Sequence, residues 1–177
     1  MERLIMFQIP AYVYVLFCVL VYLGAKRCFP RSMRPERTLV FPLAFLALGA
    51  TSLHRLFPDA RFAAQALALI LIVLGAAIGW LHASRWRLLF AQTSDGLKVT
   101  LPGDPTLLVT LLLSFFIKFA QHYALAVHAS WATSTAFEFL SFAAWGALAG
   151  MPLGRSANVL ARAAQAKQSA AASPSLE

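Results

Sequence analysis

Charge is what this sequence has least of. Only 12% of its 177 residues are charged, and seven of them are acidic. A soluble domain carries about a quarter charged residues, so a soluble globular domain is excluded. Cysteine is nearly absent. Cys18 and Cys28 show neither a C-x-x-C nor a metal-finger spacing, which argues against a disulfide framework and a zinc site. Catalytic signatures are missing too. There is no H-E-x-x-H, no phosphate loop, no nucleophile beside a base and no well-placed pair of carboxylates. The expectation is therefore a non-enzyme with no metal and no cofactor.

What is there is apolar. Hydrophobic residues make up 60% of the chain, with a mean hydropathy of +0.70. A bilayer core of about 30 Å needs roughly 20 apolar residues per helix, and five stretches supply them, at about 7–25, 38–57, 61–80, 105–127 and 131–151. They use nearly the whole chain, so residues 1–154 are expected to form one transmembrane bundle. Residues 155–177, Ala/Gln/Ser-rich, are expected to be a cytoplasmic tail, partly disordered.

The formal charge is +8, but the basic residues sit between the apolar stretches, where the positive-inside rule places them. No nucleic-acid partner is expected. Lys26, Arg27, Arg31, Arg34 and Arg37 crowd the first connection, and Pro30 and Pro35 keep it from being helical. Because this charge comes after the first apolar run, that run is read as a retained span, not a cleaved leader. With the N-terminus outside, eleven Lys and Arg fall on the cytoplasmic side, against Arg3, Arg55 and Arg61 outside. The expected architecture is all-α: a polytopic five-helix transmembrane bundle, N-out and C-in.

One connection departs from this pattern. In 85–103, Asp95-Gly96 is a two-residue hairpin turn, and Leu97, Val99 and Leu101 alternate with Lys98 and Thr100 at strand period. A short cytoplasmic β-hairpin leaning on the bundle is expected. Asp104 is placed to cap the fourth helix, with Pro105 in its first turn.

Pro10-Ala-Tyr-Val-Tyr-Val-Leu-Phe, then Val21-Tyr-Leu-Gly, the basic Pro-containing loop and Phe41-Pro42 form a pattern. With Leu101-Pro102-Gly103 and Lys118 in Phe116-Ile-Lys-Phe, it resembles a family of small bacterial multispanning membrane proteins grouped as a domain of unknown function. The resemblance covers about 8–152. It implies the bacterial inner membrane and carries over no activity, ligand or catalytic residue.

The chemistry concentrates in 105–154. Lys118 and Glu138 are each ten residues from His128, so at 1.5 Å per residue a tight helical hairpin sets them at equal depth, about 10–14 Å below the outer surface. Pairing is the expected remedy for two charges in hydrocarbon. Ser114, Lys118, Gln121 and His122 share one helical face, as do Ser134, Thr135, Glu138 and Ser141. His54 and Gln65 lie at similar depth in the second and third stretches. Two readings stay open. One is a ligand or ion vestibule, with Lys118, Glu138, His122, Gln121, His54, Gln65 and Ser141 as binding groups for a small polar or ionic molecule, bound or transported. The other is a structural or accessory subunit whose polar cluster only fixes helix packing. Haem ligation by His54 and His122, or acid–base work by His and Glu, is a third and weaker reading. Gly75-x-x-x-Gly79 and Gly146-x-x-x-Gly150-x-x-x-Gly154 allow close helix contact, either within the chain or between copies in a homo-oligomer.

Overall fold

The computed structural model describes residues 11–93 and 96–172. Arg3, Pro10, Asp95 and residues 173–177, on which parts of the sequence reading rest, lie outside them. Among the described residues there are five α-helices: α1 (Ala11–Arg27), α2 (Val40–Leu56), α3 (Phe62–Ser84), α4 (Thr106–Ala126) and α5 (Thr135–Ala172). The same residues include three short strands, β1 (Arg31–Met33), β2 (Leu89–Thr93) and β3 (Gly96–Leu101).

Among the described residues, four segments are long and apolar enough to cross a membrane: Pro35–Leu56, Phe62–Ser84, Thr106–Ala126 and Thr135–Ser169. The expected count was five. The remaining helix, α1, is described over 17 residues, about 26 Å of helix.

The tightest packing is between α3 and α5, and it explains both small-residue motifs. A Cβ on Gly79 would collide with the backbone of Met151, one on Gly150 with the Ile72 carbonyl and one on Gly154 with the Ala76 carbonyl. The two motifs interlock within one chain, backbone against backbone, as small residues permit. Leu53 of α2 completes this side with Ala64, Ala68 and Phe142. On the other side α1 pairs with α4, where the Phe17 ring lies 5.3 Å from that of Phe115 and Gly24 lies under Leu108.

The hairpin expected from alternation is present, with Leu89 opposite Thr100 and Thr93 opposite Gly96. Val99 and Leu101, on its apolar face, are buried. The basic connection adds a third strand. β1 pairs antiparallel with β3, Ser32 facing Thr100, and their hydroxyls hydrogen-bond at 2.8 Å. The strand order is therefore β1-β3-β2, and the hairpin is one part of a three-stranded sheet.

α5 also departs from expectation. The fifth segment was expected to end near 151, yet the helix runs on through Pro152 to Ala172. Pro152 removes one ladder hydrogen bond, but the sheet supports the turns beyond it. Val159 packs with Val99 and Leu101, beside Met33, Trp86, Leu88 and Phe90. The Arg162 guanidinium donates to the Trp86 carbonyl at 2.9 Å. Residues 155–163 are thus a docked stretch of helix, and the bundle has a sheet end and a loop end.

Candidate functional site

The α1–α4 pair and the α2–α5 side do not close on each other. Between them lies a cleft of about 410 Å³, with Ser52, Ser114, Lys118, Gln121, Ser141 and Trp145 among its lining residues. That volume falls in the range of small-molecule sites, about 300–1,000 Å³. Its remaining wall is apolar: Leu20, Phe45, Leu48, Leu111, Phe115, Ile117 and Leu148 beside Gly49. Gly49 leaves the space that the Trp145 indole occupies, since a Cβ there would run into the ring.

The polar groups of the cleft differ in how they are satisfied. Lys118 Nζ donates to Ser52 Oγ at 2.9 Å. Ser114 and Ser141 donate back to the carbonyls one turn earlier, Thr110 at 2.6 Å and Phe137 at 2.7 Å, which leaves their oxygen lone pairs to accept. Gln121 Oε1 and Trp145 Nε1 are buried without a hydrogen-bond partner. Buried polar atoms are nearly always paired, and here the two residues that carry an orphan acceptor and an orphan donor among the described residues line one cavity with Lys118.

Lys118 and Glu138 do not pair. Glu138 Oε1 accepts the Arg61 backbone N–H at 2.7 Å, at the N-terminus of α3. It also stands in the first turn of its own helix, where the dipole favours an acid. Arg61 Nη1 in turn donates to Thr135 Oγ1 at 2.6 Å. Glu138 thus ties the start of α3 to the start of α5. The equal-depth expectation assumed a tight turn at His128. Instead His128 has φ of 51°, and a 3-10 turn at Ser130–Thr133 fills the connection. Helix α5 starts only at Thr135, so Glu138 is one turn in from the loop end while Lys118 lies about 12 Å from the end of α4.

Of the other expected site residues, Gln121 and Ser141 join Lys118 in the cleft. His54 and Gln65 line a neighbouring cavity of about 280 Å³, with Phe57, Phe142 and Trp145. Gln65 Nε2 donates to the Ala60 carbonyl at 3.3 Å. His122 is exposed on α4 and is not among the residues lining the cleft. His54 and His122 therefore do not share a cavity. No group of three or more potential metal ligands occurs among the described residues.

A second polar cluster, at the sheet end, was not anticipated. Asp104 meets the capping expectation by accepting the Thr106 N–H at 2.9 Å. It also takes a hydrogen bond from the Thr106 hydroxyl and an ion pair from Arg155. Burial pushes the Asp104 carboxyl up, but the Thr106 hydrogen bonds and the Arg155 charge outweigh it and hold it below its ordinary value. Arg155 is 4% exposed, and its Nη1 also bonds Thr106 Oγ1. In sequence Arg155 looks like one more positive charge after an apolar stretch. The signal that could have singled it out is its place directly after Pro152-Leu-Gly, where the helix had been expected to end.

Comparison of the chain with protein-family models, curated proteins and solved structures finds no match.

Proposed function

We propose that this chain is a multi-pass membrane protein that binds a small amphiphile in the cleft around Lys118. The carrying observation is the set of unsatisfied groups there: among the described residues, a Lys118 ammonium held by Ser52 alone, with Gln121 Oε1 and Trp145 Nε1 buried and unpaired. A ligand that accepts from Lys118 and lays an apolar body along Phe45, Phe115 and Leu148 fits this lining, and a small rotation of Gln121 and Trp145 would bring their unpaired atoms to it. Isolated charge in hydrocarbon is costly and is usually functional. Glu138 drops out of the binding set, because its carboxylate serves the α3 N-terminus.

The reading includes α1 as a fifth span and an N-out, C-in orientation. Its support is charge: Lys26, Arg27, Arg31, Arg34, Arg37, Arg85, Arg87, Lys98, Arg155, Arg162 and Lys167 all belong to the sheet-end segments, which the positive-inside rule assigns to the cytoplasm. The bacterial inner membrane is the compartment that the motif resemblance implies. The role is one of binding, not catalysis.

A runner-up has its own observation. The Lys118–Ser52 bond joins α4 to α2 across the cleft, as a registry bond in a purely structural subunit would. Thermal unfolding of the protein in nanodiscs separates the two. Decanoate should raise the unfolding temperature of the wild type and leave Lys118→Met unmoved, while decanol should act weakly on both. An equal response of wild type and variant to decanoate, or none in either, would favour the structural subunit.

A further inference from the structure

The sheet end holds a second, smaller pocket, and it is basic. Arg27 from the end of α1, Arg31 from β1 and Arg155 from α5 line it, with Asp104 as the carboxylate among its lining residues. Three guanidiniums against one carboxylate leave the pocket two positive charges in excess. Arg155 spends one nitrogen on Asp104 and Thr106, while its Nη2 is buried without a partner. Neither Arg27 nor Arg31 forms an ion pair among the described residues. Arg27 is instead held against the Phe41 ring, 5.0 Å from its centroid. Burial, and then the neighbouring Arg27 charge, make the Arg31 guanidinium less basic than usual, as expected where like charges are crowded without a counterion.

Basic loops beside a membrane are ordinary; convergence is what distinguishes this pocket. Its residues come from segments as far apart as 27 and 155, and β1–β3 pairing and the Asp104–Arg155 bond bring them together. The space is about 70 Å³, enough for a group of a few heavy atoms and too small for a nucleotide. It sits where α1 ends and α4 begins, at the level expected for lipid headgroups if these helices span the bilayer. Guanidinium forks match the oxygens of oxyanions, and guanidiniums converging from three separate segments suit the several oxygens of a phosphate better than the two of a carboxylate.

We propose that this pocket binds a phosphate group, carried by an anionic phospholipid headgroup or free as inorganic phosphate. The group bridges Arg27 and Arg31, which form no ion pair among the described residues, and a small rotation of Arg155 would bring Nη2 to it. The site is separate from the Lys118 cleft and stands or falls independently of it.

The test is thermal unfolding of the full chain in dodecyl maltoside, titrated with phosphatidylglycerol, phosphatidylcholine or inorganic phosphate at constant ionic strength. Phosphatidylglycerol should raise the unfolding temperature by about 4 °C or more, and the double variant Arg27→Gln/Arg31→Gln should lose that shift. If inorganic phosphate alone reproduces it, the source is the free anion; if only phosphatidylglycerol does, the source is lipid. Absence of any shift with either probe, or a full shift in the double variant, overturns the proposal. Native mass spectrometry provides a second readout should the double variant unfold. Wild type should retain one phosphatidylglycerol or phosphate adduct and the single variant Arg31→Gln should not; equal retention counts against the site.

Discussion

The two sides of the bundle solve the packing problem differently. Along α3 and α5, glycines remove side chains and let backbones touch, with Gly75 and Gly79 set against Gly150 and Met151. Between α1–α4 and α2–α5 the helices keep their bulk, aromatic rings line part of the gap, and a cleft of about 410 Å³ remains. Among the described residues, the buried polar side chains that lack a partner near mid-bundle, Gln121 and Trp145, both lie on the second side. In a membrane, close apolar packing drives association where the hydrophobic effect cannot. A chain that binds nothing would gain by closing both sides. The dense seam holds the fold and leaves the other face free to stay open.

Breaking the seam should therefore do the most damage. Gly150→Leu places a side chain against the Ile72 carbonyl and Gly75, which cannot yield without separating the helices. A loss of about 3 kcal/mol or more is expected, seen as aggregation on size exclusion or a collapsed unfolding transition.

Next in size is the tie across the sheet end of the bundle, where Arg155 of α5 meets Asp104 at the start of α4. Asp104→Ala leaves a buried guanidinium unpaired and should cost about 3 kcal/mol. The same pair sets an acid dependence. Because folding lowers the Asp104 value, its stabilisation is complete above the unfolded value of about 3.9 and fades as pH falls through the lower folded value. Asp104→Asn should flatten the part of the acid-unfolding curve below pH about 4 while weakening the protein at pH 7.

Glu138→Gln removes charge from the Arg61 N–H contact at the loop end. About 1 kcal/mol is expected, measured by chemical unfolding, with amphiphile binding unchanged.

The smallest stability effect should come from the cleft itself. Ser52→Ala removes the partner of Lys118, and bonds between membrane helices average about 0.6 kcal/mol. Stability should barely move, and decanoate affinity should hold or rise because the ammonium is released to the ligand.

Much of this was legible in the sequence, and the parts that were not share a cause. Helix positions followed from apolar length, the hairpin from the alternation of Leu97, Val99 and Leu101, and the cap from Asp104. Each of these is a local pattern. β1 has three residues between prolines and carries no periodicity, so it exists only because β3 offers it an edge. The continuation of α5 depends on Val159 finding Val99, which no window on the tail reveals. The partners of Lys118 and Glu138 were misjudged for a related reason. Helical spacing says which residues share a face, not which helix that face meets. Ser52 lies 66 residues before Lys118, and the Arg61 group that Glu138 binds is a backbone N–H that sequence does not display. Gln121 falls in the cleft with Lys118, whose face it shares, while Ser141 is there although Glu138, whose face it shares, is not. Trp145 matters through an indole N–H that only the packing leaves unpaired.

The central claim is that the Lys118 cleft is a binding site and not a packing defect. An experimental density map of the wild-type protein in nanodiscs tests it most directly. Elongated non-protein density should run along Phe45 and Phe115 and end between Lys118 Nζ, Gln121 Oε1 and Trp145 Nε1. A closed cleft, with the Trp145 N–H donated to Gln121 Oε1 and no density between the helices, would contradict it.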